Sequence, residues 1–409
     1  MLRSLDPLAL ARRQLERDRT VDAAARGLFA VKHARMVTSA FAFLRGSAGL
    51  FYELLRAAPE LARGPEGRAW LTGDLHVQNF GAFRTDDDRR GKTVVVFGPN
   101  DFDEACVGPV RLDLLRLATS WLLSLDEHAI SSSERVETCR ALLAGWERGA
   151  HGEGRSKTPA PIAQLVERVE ARTKAAMLSS FVRGSPRKRA LLRGEKLWPI
   201  SRELAASVKD AFGRYAGERC SATGAEPGHF EVKDVVRRVA GTGSLGAERF
   251  AVLTTGGPNG AWLFDVKEEA PRSATTLAAA GTRGAARVVR GIDRAALAPP
   301  RMLGTTTLHH PRGARLAMLV RRLSPQEDKL DPAEVPAGEL ASVAHHLGWL
   351  AGRMHRQGAV GKLGRCAGPE QRAVLERAIV LAGLHEAIHL AYVSLPAGAS
   401  DRRTIRSRP

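Results

Sequence analysis

WLTGDLHVQNFGAF (residues 70–83) is the stretch on which the reading of the fold turns. An apolar lead-in ends at Leu71, and Asp74, His76 and Asn79 then fall close together before Phe80 and Gly81. Acid–base and metal-binding side chains clustered where an apolar run gives way to glycine read as a loop that carries chemistry. Downstream, TVVVFGPNDFDEACVGP (93–109) opens with a β-branched run that reads as a buried strand. Between the two, RTDDDRRGK (84–92) reads as a polar hairpin turn. The acidic loop 100–104 then follows one arm of a hairpin whose other arm follows Asn79. That arrangement predicts Asp74, Asn79, Asp101 and Asp103 as neighbours.

The chain has 409 residues, more than one compact core holds, so two lobes or domains are expected. Its 44% hydrophobic and 26% charged residues are ordinary for a globular protein in water. No apolar run approaches the roughly 18 residues a membrane helix needs, so no span is expected. The start, MLRSLDPLALARRQLERDRT, is charged and periodic and lacks the apolar core of a signal peptide. Cys106, Cys139, Cys220 and Cys366 are far apart, with no CxxC pair. That disfavours a zinc site or disulfide scaffold and points to a reducing cytoplasm.

The formal net charge of +18 has two readings. One is a polyanionic partner, meaning nucleic acid, nucleotide phosphates or an acidic protein. The other is an arginine-rich surface. Dispersed charge and only 5% aromatics favour the second, because single strands need stacking platforms. RGSPRKRALLRGEK (183–196) and SDRRTIRSRP (400–409) are the exceptions; they read as an exposed loop and a disordered tail.

Periodicity divides the chain by texture. Residues up to about 63 read as helical, with Arg45-Gly46 either a break or a packing contact. Leucines three and four apart predict a helix at 110–130, and serine caps another at 131–150. Helices are also predicted at 161–179 and 201–217. From about Phe230, alternation around glycines predicts antiparallel strands at 234–240, 248–254 and 261–267. A helix at 273–290, strands at 305–309 and 316–320, and helices at 337–358 and 369–395 follow. The expected organisation is α+β: a helical region 1–228, a β-rich region 229–325, closing helices 326–395 and a basic tail 396–409.

Several motifs carry chemistry. GTGSLG (241–246) places Gly241, Gly243, Ser244 and Gly246 before a strand-like stretch, not a helix. Such glycines form either a flap that covers phosphates with backbone N–H groups or an ordinary hairpin turn. Lys267, at the end of the strand LFDVKEE (263–269), either reaches phosphates under that flap or lies exposed on an edge. An Asp and an Asn five residues apart suit phosphoryl transfer: Asp74 orients an acceptor hydroxyl, and the Asn79 amide oxygen holds Mg²⁺. Asp101, ending a strand, is a second metal ligand. Asp103 either serves a second metal or caps the next turn. His76 reads as structural support, and Phe80 and Phe102 as anchors of the two loops. Arg45 is either a surface helix arginine or a phosphate or carboxylate partner. A dinuclear metallohydrolase using GDLH with Asp101 and Asp103 is a lesser alternative, since it wants more histidine ligands.

GDLHVQN followed by NDFDEACVGPVRLDLLRLA resembles the phosphotransferase signature of aminoglycoside- and choline-kinase-like enzymes. FAFLRG, GDLHVQNFG, NDFDE, DLLRLATS, GTGSLG and DVKEE together are similar to the bacterial family catalogued as domain of unknown function 2252, over about residues 30–360. That family is grouped with the protein-kinase-like superfamily. The resemblance implies Asp74 as catalytic residue, Asn79 and Asp101 as metal ligands and Asp113 as a buried brace of the loop. It implies ATP and Mg²⁺ as cofactors and transfer of a phosphoryl group to an unknown small-molecule or protein hydroxyl.

The order of motifs departs from a kinase, where the glycine loop and lysine precede the catalytic loop. A circularly permuted bilobal kinase-like fold is therefore expected, with a large helical lobe and a small antiparallel β-rich lobe. LGWLAGRMHRQG (347–358) resembles the helix that leads into the kinase catalytic loop, yet lies near the C-terminus. Thr72 stands where the resemblance puts a histidine. No Glu occurs between Ala270 and Gln326, so the partner of Lys267 is expected to be Glu268 or a carboxylate elsewhere. The alternatives are a nonenzymatic nucleotide-binding pseudokinase and a basic nucleic-acid-associated protein.

Overall fold

A computed structural model describes residues 5–22, 28–84, 94–126, 128, 130–185, 188–239, 247–257, 260–269, 284–325 and 327–396. The N-terminal part holds α1 (Pro7–Asp22), α2 (Leu28–Met36), α3 (Ala40–Gly46) and α4 (Ala48–Ala57). Next come β1 (Arg68–Leu71), β2 (Phe80–Arg84), β3 (Val95–Pro99) and β4 (Cys106–Pro109), then α5 (Arg111–Ser124) and α6 (Ser132–His151). A middle segment forms α7 (Ala160–Glu170), α8 (Lys174–Phe181), β5 (Val182–Arg183), β6 (Ala190–Leu191), β7 (Leu197–Trp198) and α9 (Arg202–Thr223). The β-rich part follows as β8 (Val232–Arg238), β9 (Arg249–Gly257), β10 (Gly260–Glu268), α10 (Ala285–Ala295), β11 (Gly304–His309) and β12 (Arg315–Arg322). The chain returns through β13 (Glu327–Lys329), α11 (Leu340–Gln357), β14 (Ala359–Val360) and α12 (Pro369–Ser394). This is a mixed α+β fold whose strand pairs are antiparallel.

Local chemistry sets several boundaries. Ser131 and Glu134 form a reciprocal capping box at the start of α6. The helix expected at 161–179 is two helices, because the Thr173 side chain accepts from Ala176 N and starts α8 anew. The N-terminal helix breaks at Ser47. Gly46 just before it is also a packing contact, since a Cβ there would lie 2.6 Å from Met36. The stretch 183–196, expected as an exposed loop, contains β6; Leu191 is buried in an apolar cluster with Leu197, Val236 and Ala251, and Asp234 accepts from its backbone N–H at 2.7 Å. The start of the helix expected at 273–290, most of the tail 396–409 and the whole glycine loop lie outside the described residues.

The largest sheet has the order β11-β12-β10-β9-β8-β7. Strand alternation gives it two unlike faces. Phe250, Val252, Phe264, Val266, Met318 and Val320 pack against Val208, Phe212 and Tyr215 of α9. On the opposite side of the same strands stand Arg249, Asp265, Lys267, Leu319 and Arg321, and these line a cleft. Among the described residues no helix is long and apolar enough to cross a membrane.

Helices α6 and α11 are held together by glycines four apart on both partners. A Cβ at Gly145 would meet His345 O at 2.0 Å, and one at Gly348 would meet Leu142 O at 1.9 Å. Only hydrogen at these positions lets the two backbones approach so closely. The crossing sets Trp146 beside His355, with the indole Nε1 donating to His355 Nδ1 at 2.9 Å.

Candidate active-site cleft

The loop that begins at Thr72 is braced from beneath by Asp113, in the first turn of α5. Its buried carboxylate accepts from Thr72 N at 2.8 Å, Thr72 Oγ1 at 3.1 Å and Gly73 N at 3.0 Å. Because Trp146 donates to Nδ1 of His355, the proton of that ring sits on Nε2, which faces Asp113 Oδ2 at 3.3 Å. Tyr52 completes the brace by donating its hydroxyl to Gly73 O. Gly73 has φ +77°, and a Cβ there would sit 2.2 Å from Glu104 O, so the turn demands glycine. Thr72, in the place the resemblance gives to histidine, thus binds Asp113 directly, and a histidine reaches the same carboxylate from α11.

Asp74 emerges from this turn against Arg116, one helical turn beyond Asp113 on α5. Arg116 Nε donates to Asp74 Oδ1 at 2.6 Å, and its Nη2 donates to Leu44 O at 3.1 Å. Arg116 is fully buried and lies 5.0 Å over the Phe51 ring, whereas the Asp74 side chain keeps 23% of its surface exposed. Burial pushes the Asp74 carboxyl up to about 6; Arg116 opposes that rise, and Asp101 and Asp113 add to it. Asn79 donates its amide Nδ2 to Asp74 O at 2.6 Å. The side-chain oxygen is the atom of Asn79 that suits a cation.

Asn100 N donates to Asn79 O at 3.0 Å, and Phe80 pairs with Pro99, so the β2–β3 hairpin draws the two loops together. Strand β13 pairs with β2 on its other side, Lys329 opposite Gly81. The hairpin thus sets Asn79 against Asn100, next to Asp101, which acts on the Asp74 carboxyl, while Asp101 and Asp103, but not Asp74 and Asn79, line the cleft. Phe80 and Phe102 are buried, as anchors should be. Asp101 Oδ1 accepts from Asp103 N at 3.3 Å.

A cleft of about 440 Å³ separates this loop from the charged sheet face, and Asp101, Asp103 and Lys267 line it together. Lys267 is 4% exposed and meets Asp103 Oδ2 and, at 3.3 Å, Glu269 Oε1. Glu268 points elsewhere, accepting from Glu248 N at 2.9 Å. Arg287 of α10 donates to Asp103 O at 2.7 Å and to Ala105 O, tying that helix to the acidic loop.

The remaining expected residues divide. Arg45 is largely buried, its guanidinium 5.6 Å from the Phe41 ring centre. Burial pulls its pKa down, while Asp74, Asp331 and Asp101 oppose that, which places it within the field of the site. His76 is buried edge-on to Phe41, and burial, with Arg45 and Arg116, keeps its pKa well below the usual imidazole value. A neutral, packed histidine fits the structural reading. Gly241, Gly243, Ser244 and Gly246 lie outside the described residues.

The donor set suits a hard cation: carboxylates at Asp101 and Asp103 and an amide oxygen at Asn79, with a lysine nearby for anions. Among the described residues, no three His, Cys, Asp or Glu side chains converge as a self-sufficient metal site. Mg²⁺ needs only one or two protein ligands when phosphate oxygens supply the rest.

Sequence reading missed Arg116, Glu269, His355 and the arginines around Asp265. Strand period could have found Glu269, since residues 265, 267 and 269 share one face and Glu268 points to the other. Arg116 carries a signal too, as the one cation in the leucine-rich stretch LDLLRLATSWLL.

No curated protein and no solved structure matches the chain. A family model described as "Uncharacterized protein conserved in bacteria (DUF2252)" matches residues 25–386. The chain, with the braced loop and the charged cleft inside the matched span, belongs to that family.

Proposed function

We propose that the cleft binds a magnesium nucleoside triphosphate, in the manner of a circularly permuted bilobal kinase, and that the protein transfers a phosphoryl group to a hydroxyl acceptor. The observation that carries this reading is the joint lining of one cleft by Asp101, Asp103 and Lys267, with Asp74 and Asn79 on the loop hydrogen-bonded to it. Asn79 and Asp101 would hold Mg²⁺. Bound there, the ion supplies charge neutralisation and orientation of phosphate oxygens. Lys267 would pair with phosphate oxygens, with Asp103 and Glu269 holding the ammonium in place. Asp74, raised to about 6, is ionised at neutral pH and accepts a hydrogen bond from the acceptor hydroxyl. Arg116 orients that carboxylate.

A second reading, a nucleotide binder without transfer, is favoured by one observation: Asp74 is already engaged by Arg116. The thermal transition measured with ATP, with and without Mg²⁺, tests the shared step. Stabilisation that needs both supports the reading. Stabilisation by Mn²⁺ or Zn²⁺ alone would replace it with a metallohydrolase, and stabilisation by nucleic acid alone, reversed by salt, with a basic binder.

A further inference from the structure

Strand β10 carries two charged centres on one face. Lys267 is the first. Asp265 is the second, one strand repeat away, so their backbones are about 7 Å apart. Asp265 is 2% exposed and sits among three guanidinium groups from three different strands. Arg249 of β9 donates to it through Nε at 2.8 Å and Nη2 at 2.6 Å. Arg238 of β8 donates through Nη1 at 2.9 Å, and Arg321 Nε of β12 lies 3.6 Å away. Glu327 meets Arg321 Nη1 at 3.1 Å. All five of these side chains line the cleft.

Fold stability alone does not call for this arrangement. Buried ionic clusters seldom repay their desolvation, and apolar residues would close the sheet face at lower cost. Arginines fixed on three strands and lining an open cleft present guanidinium groups to an anion that enters it. Guanidinium forks match the paired oxygens of a phosphate, and a carboxylate behind them fixes their planes.

We propose that Arg238, Arg249 and Arg321, oriented by Asp265, form a phosphate subsite distinct from the Lys267 centre. The cleft then holds two phosphate groups about one strand repeat apart. This needs only that the cleft takes phosphorylated ligands; it does not need the metal assignment. The second phosphate comes either from the nucleotide's own tail or from a phosphorylated acceptor. Asp265 is a positioning residue.

Isothermal titration with inorganic tripolyphosphate in EDTA tests the subsite without nucleotide or metal. Wild-type protein should bind. Arg238→Gln and Arg321→Gln should each weaken binding at least tenfold, and Arg321→Lys should weaken it severalfold while keeping the charge. Circular dichroism of each variant separates lost binding from lost folding. Absence of wild-type binding, or wild-type affinity in the folded arginine variants, overturns the proposal. Triad-dependent binding of tripolyphosphate, with no response to Mg-ATP, would uphold the subsite while the nucleotide reading fails. Titrating inorganic phosphate at saturating Mg-ATP separates the sources: retained binding that Arg321→Gln abolishes identifies a phosphorylated acceptor, and competition identifies the nucleotide tail.

Discussion

Arg116 Nε donates to Asp74 Oδ1 at 2.6 Å from a fully buried position, so the carboxylate proposed as base is held by a charge that has no water around it. Removing one partner of such a pair strands the other. Arg116→Met should destabilise the fold by about 3 kcal/mol and raise the Asp74 pKa above 6. Chemical denaturation reads the first effect. The double variant Asp74→Asn/Arg116→Met should lose less than the two single losses added together.

Asp74 also predicts a pH dependence with a defined sign. Its ordinary value is 3.8 and its value in the fold is about 6. Between those values the folded state keeps a proton that the unfolded state has released. The contribution is therefore present at low pH and is lost as pH rises through about 6, amounting to about 3 kcal/mol. Asp74→Asn should remove that part of the stability profile, which denaturation from pH 4 to 7 would show.

His385 acts in the opposite sense. It is fully buried 5.8 Å from the Phe51 ring, hydrogen-bonded through Nδ1 to Leu381 O, and burial lowers its pKa to about 4. Its neutral form belongs to the folded state. Stability from this group is complete above pH 6.5 and falls by about 3 kcal/mol as pH drops to 4. His385→Leu should flatten that limb, read by the same titration.

Gly348 supports the site from a distance. A Cβ there would meet Leu142 O at 1.9 Å, so Gly348→Ala must part α6 from α11. The cost should be about 2–3 kcal/mol. Because His355 reaches Asp113 from α11, the substitution should also perturb the loop at Thr72 and Gly73. Melting temperature checks the first effect, and amide exchange at Gly73 checks the second.

Glu269 and Glu268 provide a paired control at Lys267. Glu269 Oε1 lies 3.3 Å from the ammonium, whereas Glu268 serves Glu248 N. Glu269→Gln should weaken nucleotide binding about tenfold by loosening Lys267, and Glu268→Gln should leave it within twofold. Calorimetric titration distinguishes them.

The hairpin and the leucine-rich α5 were legible because each rests on neighbouring residues, a β-branched run with a turn and a 3.6-residue period, whereas the brace at Asp113 was implied only by the family resemblance. The α7–α8 break at Thr173 was not legible, since one cap outweighed a continuous helical pattern. His355 and Trp146 reach Asp113 only through a helix crossing set by glycines far apart in sequence, which no local pattern reports. The arginines around Asp265 come from three strands, so their meeting is a matter of register and is invisible until strands are paired. Glu269 was within reach of strand alternation, and choosing the adjacent Glu268 ignored it.

Calorimetric titration of Mg-ATP into wild-type, Asp74→Asn and Asp101→Asn proteins tests the proposed site most directly. Wild type and Asp74→Asn should bind with similar affinity, and Asp101→Asn should lose Mg-dependent binding at least tenfold. Normal Mg-ATP binding by a folded Asp101→Asn protein would contradict the assignment of the metal centre and, with it, the proposed function.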